Sequence, residues 1–197
     1  MLRVIENLWN KYFILSLRSQ RNILIFEIIL FAAMVVKTKK DKQIKKNIIF
    51  YFLYSYIFWI LVSTVFARID WEIWSVNPVK LSNINWIPFY SYSIIVSGNK
   101  VHLQQVVMNC WMLFPVGFLL RCTGGQLKKF FHVRICFYLS ICIEILQLIY
   151  GCGLCEFDDI IHNILGGFLG IICADLVYKI IKICKNNFSV ARKNFDK

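Results

Sequence analysis

The chain has 197 residues, of which 58% are hydrophobic and only 17% charged, with a mean hydropathy of +0.59. A soluble domain carries about 45–50% apolar and about 25% charged residues, so this composition excludes a soluble enzyme, a soluble coiled coil and a disordered chain. The net charge is +12, but the basic residues flank apolar runs instead of covering one soluble face, which argues against a nucleic-acid partner.

In chain order, residues 2–17 mix Arg3, Glu6 and Lys11 with Leu, Trp, Tyr and Phe, the pattern of an interfacial helix. Residues 22–36 are apolar but short, and they carry Glu27. Residues 47–67 and 101–120 run for 21 and 20 residues without Asp, Glu, Lys or Arg. Residues 135–150 are apolar except for Ser140, Glu144 and Gln147, and 160–178 except for His162, Asn163 and Asp175. A helical span needs roughly 20 apolar residues. The expected fold is therefore all-α: a polytopic transmembrane bundle of about five spans, 22–36 being the first, with an N-terminal interfacial helix. It is read as one domain over 1–197. The connection 68–100 contains Asn77-Pro78 and Ile87-Pro88 with Trp71, Trp74 and Trp86, and is expected to lie along the membrane surface.

Three windows hold the positive charge: 37–46 at net +5, 121–134 at +4 and 179–197 at +5, which leaves −2 for the rest. The positive-inside bias puts all three on the cytoplasmic side, with the C-terminus, and the loops 68–100 and 151–158 outside. A true span at 22–36 would carry Arg3, Lys11, Arg18 and Arg21 outside, against this bias. Eight cysteines do not form a disulfide framework. Cys110, Cys136, Cys142, Cys173 and Cys184 lie in or beside apolar runs, where Cys behaves as a small hydrophobe. Cys152 and Cys155 form one unpaired CxxC, a weak signal.

Ionisable residues inside spans cost about 2.5–3.5 kcal/mol for a central Asp, so they normally face the bundle interior. Glu144 and Gln147 share a helical face at i,i+3, and Asp158/His162 and Asp159/Asn163 do so at i,i+4. Each has a plain structural reading. Glu144 can be neutral and bonded to Gln147 or Asn163, Asp158 and Asp159 can cap the last helix, and His162 reads as a hydrogen-bonding residue. Asp175 can snorkel to the inner surface. Gly166 and Gly170 form a GxxxG packing face, and Pro115 with Gly117 marks a kinked stretch whose missing N–H frees the carbonyl of residue 111.

The functional reading is one polar pocket of Asn109, Glu144, Gln147, Asp158, Asp159 and Asn163 near the outer face. Two carboxylates so close in low dielectric do not both stay ionised, so Glu144 and Asp159 are expected to hold a proton or a cation between them. Those two are also the acid/base candidates of an alternative reading, an intramembrane enzyme acting on a lipid-linked envelope substrate. A third reading is a transporter-like or scaffolding protein. A metal set of Glu144, Asp158 or Asp159 and His162 matches no known spacing, no nucleophile sits in an elbow, and no cofactor is expected.

Four stretches together resemble the VanZ-like family of bacterial membrane proteins: NINWIPFYSY (83–92), NCWMLFPVGFLL (109–120), IEILQ (143–147) and DDIIHNILGGFLG (158–170). Their order and spacing match over 83–170, about half of the chain. There are departures. The family's Phe before the Pro is Leu113, its Arg in the loop falls on Gly153, and its R-x-F-D ends here on Cys155 and Glu156. A chain whose relatives pair that Arg with the carboxylates lacks the pair at this position. The resemblance implies a multi-pass bacterial cell-membrane protein of the envelope, associated with reduced sensitivity to lipophilic glycopeptides such as teicoplanin. Its partners would be the bilayer and a lipid-linked cell-wall precursor or the lipophilic glycopeptide itself.

Overall fold

The computed structural model describes residues 24–41, 43–68, 83–123 and 129–195. The expected interfacial helix at 2–17 lies outside them. Among the described residues the chain is all-helical apart from a two-residue bridge. The elements are α1 (24–41), α2 (Ile44–Thr64), a 3-10 turn (Phe66–Arg68), β1 (Ile84–Asn85), α3 (Tyr90–Val96), α4 (Lys100–Cys122), α5 (Lys129–Tyr150), β2 (Cys155–Glu156) and α6 (Phe157–Phe195). Among the described residues four helices are long and apolar enough to cross a membrane: α2, α4, α5 and the Phe157–Phe188 part of α6.

The first of the five expected spans, 22–36, begins outside the described residues. Its described part belongs to α1, which carries Glu27 and, at its end, Lys37, Lys39, Lys40 and Asp41. Helix α1 leans on α2. Phe26 stacks on Phe58 with ring centroids 3.8 Å apart. The Glu27 carboxylate accepts hydrogen bonds from Tyr51 at 3.0 Å and from Ser55, so it is not left to water. The turn into α2 is tied by Asp41, whose Oδ1 accepts from the Gln43 amide at 3.0 Å and from Asn47 Nδ2 at 2.8 Å. These bonds, the backbone one first, hold the exposed Asp41 carboxyl below its ordinary pKa.

Helix ends follow local chemistry. The Ser63 and Thr64 hydroxyls both donate back to the Ile60 carbonyl at the point where α2 stops, a competition with the helical ladder. Asn99 caps α4 by accepting from the Val101 and His102 amides, after a turn at Gly98, whose φ of +94 suits glycine. No Gly or Pro interrupts 171–195, and α6 accordingly runs 39 residues, about 58 Å, well past the expected 160–178. The core joins Leu53 and Ile60 of α2, Leu113, Val116 and Leu120 of α4, and Cys136 and Ile143 of α5.

The bundle has two unlike ends. At the basic end, Asp175 pairs with Arg121 Nε at 2.6 Å and Lys129 Nζ at 2.5 Å, so it is gripped between helices instead of reaching for the surface. At the loop end, β1 and β2 pair in parallel, Ile84 with Cys155 and Asn85 with Glu156. That bridge ties the 68–100 connection to the α5–α6 loop. The connection also folds a helix, α3, that its composition does not announce.

Candidate functional site at the loop end

Asp158, in the first turn of α6, is 3% exposed. Its Oδ1 accepts the Phe89 amide at 2.6 Å and its Oδ2 the Ser91 amide at 2.8 Å. It therefore caps α3, not the helix it belongs to. Phe89 adopts φ 63, a left-handed conformation costing roughly 1–2 kcal/mol for a non-glycine residue. The carboxylate offsets that cost by collecting the amides around the Pro88-Phe89 turn. One turn along, His162 Nε2 lies 3.0 Å from the Tyr92 hydroxyl. Asp158 and His162 thus fasten the α3 segment to α6.

The neighbouring face of α6 meets α4 and α5. Asp159 has the Asn109 side chain beside it, which favours the carboxylate, and is repelled by Glu156 and Asp158. Glu144 is 2% exposed. Its Oε2 accepts the Glu156 amide at 3.3 Å, and the Asp159 charge acts on it more strongly than any other ionised group. Gln147 donates from Nε2 to the Thr64 carbonyl at 3.2 Å. Asn163 donates to the Ser140 hydroxyl at 3.0 Å, and its buried Oδ1 has no partner among the described residues. Glu144 therefore bonds to neither Gln147 nor Asn163. The three side chains lie in one seam, each with a different partner.

Sequence reasoning missed a cation. Arg68, just past the end of α2, acts attractively on both Glu144 and Asp159. The only available signal was its place: the first basic residue after an apolar span, on the side where the other loop is acidic. Gly153 does not leave a gap at the family's Arg position. A Cβ there would lie 3.3 Å from Gln147 Oε1, tight contact that a side chain would have to push aside.

Three glycines set the floor of the site. A Cβ on Gly166 would collide with the Cys110 carbonyl, one on Gly170 with the Phe114 carbonyl, and one on Gly117 with the Gly167 carbonyl. Helices α4 and α6 touch backbone to backbone there, with Pro115 inside the contact stretch between Phe114 and Gly117. This close approach is what brings Asn109 to Asp159. Among the described residues no group of three or more His, Cys, Asp or Glu is arranged to hold a metal ion.

The VanZ/LLP1 family model matches residues 52–179, a stretch that begins in α2, takes in Arg68 and every site residue above, and ends in α6. The chain belongs to the VanZ/LLP1 family. It is similar to Protein VanZ of Enterococcus faecium, 31% identical over 114 residues, which is 56% of this chain and 64% of that protein. The chain thus spans a little under two thirds of that relative's length. No solved structure matches. Membership of the VanZ/LLP1 family agrees with the four apolar helices in making this a multi-pass membrane protein.

Proposed function

We propose that this VanZ-like protein acts in the bacterial cell envelope and lowers sensitivity to lipophilic glycopeptides such as teicoplanin. It would do so by engaging, at its loop end, the polar group of a membrane-anchored molecule: a lipid-linked cell-wall precursor or the glycopeptide itself. One observation carries the reading. The Asp159 charge acts on Glu144, Asn109 lies beside Asp159, and the Arg68 charge acts on both carboxylates, so α4, α5, α6 and the turn after α2 contribute to one membrane-end site. A purely structural bundle has no need to bring two carboxylates together in low dielectric, because their repulsion costs stability. The three basic windows, opposite this site, orient it outward with the C-terminus in the cytoplasm.

The test is expression in a susceptible Gram-positive host. Tolerance to teicoplanin should rise several-fold and tolerance to vancomycin should not. Glu144→Gln, at equal membrane level, should return teicoplanin tolerance to the host's baseline. Unchanged teicoplanin tolerance with the wild-type chain overturns the proposal. The facing carboxylates also favour a second reading, an intramembrane enzyme with Glu144 and Asp159 as acid and base. It predicts a chemically altered envelope lipid in extracts of the expressing cells, absent with Glu144→Gln.

A further inference from the structure

An apolar groove of about 370 Å³ opens between α2 and α4, lined by Phe52, Tyr56, Phe114, Pro115, Phe118 and Leu119. It lies in the half of the bundle nearer the basic end, away from Glu144 and Asp159. Its loop-side limit is a bridge between the two helices, the Tyr56 hydroxyl donating to the Met112 carbonyl at 3.2 Å. From that bridge the lining residues of the groove run toward the basic end. A groove of this volume holds part of one acyl chain.

The charges at its open end are not equivalent. Lys37 and Lys46 both sit over the Phe50 ring, at 5.8 and 6.0 Å. Arg121 and Lys129 are taken by Asp175. Lys45 is exposed and pairs with no carboxylate among the described residues. It stands seven residues before Phe52 and eleven before Tyr56, so all three share one face of α2. Helical side chains lean toward the N-terminus, which carries the Lys45 ammonium away from the groove to the membrane surface. The separation along the axis, about 10 Å from Lys45 to Phe52, matches a phosphate at the surface with its chain below.

We propose that the α2–α4 groove is a binding site for an anionic phospholipid, one acyl chain lying against Phe52, Phe118 and Leu119 and the phosphate meeting Lys45. Charge complementarity chooses the occupant: a zwitterionic lipid would fill the same groove but gains less from the Lys45 cation above it.

The experiment uses the full chain, purified in detergent and exchanged into nanodiscs of phosphatidylcholine alone or with one-fifth phosphatidylglycerol, with bound lipid read by native mass spectrometry after ejection. Phosphatidylglycerol should be retained about fivefold over phosphatidylcholine, one basic residue's worth of attraction. Lys45→Gln should remove that preference. Lys46→Gln, whose ammonium is engaged by Phe50, should keep it. Leu119→Trp should fill the groove and reduce retention of both lipids. Equal retention of the two lipids by the wild type, or a preference unchanged in Lys45→Gln, overturns the proposal. So does preferential retention of an added prenyl phosphate over phosphatidylglycerol. A Leu119→Trp chain that no longer folds leaves the Lys45 arms to decide the matter.

Discussion

Helix α6 is held on two sides in opposite ways. Toward α4 the contact is made by what is missing: Gly166 and Gly170 of α6 and Gly117 of α4 let backbone meet backbone. Toward α5 it is made by polar side chains, Asn163 to Ser140 and Asp159 near Glu144. The first interface tolerates no added atom and presents no chemistry. The second carries charge that a membrane disfavours. A bundle can afford the second because the first is so closely packed, and the contrast separates residues that build the fold from residues available to act.

The sharpest way to break that contrast is Gly166→Leu. The new side chain would be driven into the Cys110 carbonyl, and α4 and α6 would have to part. Overpacking by flexible atoms costs about 1–3 kcal/mol. A backbone collision exceeds that, so the folded protein should be lost from membranes. Gel-filtration profile and membrane level check it. A normal yield of monodisperse protein would mean that the α4–α6 contact is not what holds the bundle.

Asp158→Ala should come next. It removes two charge-assisted hydrogen bonds, at about 1.5–3 kcal/mol each, and leaves the strained Phe89 turn uncompensated. The expected result is a folded bundle with α3 released, seen as faster hydrogen exchange confined to the 84–96 segment and a loss of up to about 6 kcal/mol in stability. Asp158 shows why part of the site was legible and part was not. The apolar runs, the glycine spacing and the shared faces of Glu144/Gln147 and Asp159/Asn163 are local patterns, and periodicity exposes them. The partners of Asp158 lie 69 and 67 residues away. Nothing in the neighbourhood of either residue marks that pairing. Helix α3, seven residues long, is too short to declare itself by periodicity and is held by Asp158, His162 and α4. Arg68 was missed for the same reason: its role is set by where α2 ends in space.

The polar interface is probed by a double-mutant cycle of Glu144→Gln and Asp159→Asn, read on stability and on glycopeptide tolerance. Each single change removes one of two carboxylates that oppose each other's ionisation, so the second should matter less once the first is made. A coupling of about 1 kcal/mol is expected, within the range for residues in contact. Strict additivity would mean that the two carboxylates act apart, and the proposed site would then be two unrelated polar positions.

The smallest effect uses the loop cysteines as reporters. Cys155 is free and partly buried in β2. Burial first, then the charges of Glu144 and Asp159, raise its thiol pKa above the ordinary value. For Cys152, burial raises it and Arg68 opposes the rise. The thiolate is the reactive species, so at pH 7 both cysteines should be labelled slowly by a thiol reagent, and the rate should go on rising as pH passes the ordinary cysteine range. Above the pH at which Glu144 loses its proton, Glu144→Gln deletes one of the charges opposing Cys155 ionisation and leaves the burial in place. Labelling of Cys155 at a fixed alkaline pH should therefore become a few-fold faster. Cys152, on which the Arg68 charge acts and not that of Glu144, should change little. An impermeant reagent on intact, reduced cells adds the topology: with the loop end outside, both loop cysteines react and Cys142 and Cys173 do not. Should Glu144→Gln speed both cysteines equally, the loop has loosened and electrostatics is not the cause. A Cys155 rate indifferent to the change would place Glu144 too far from β2 for its carboxylate to govern the loop.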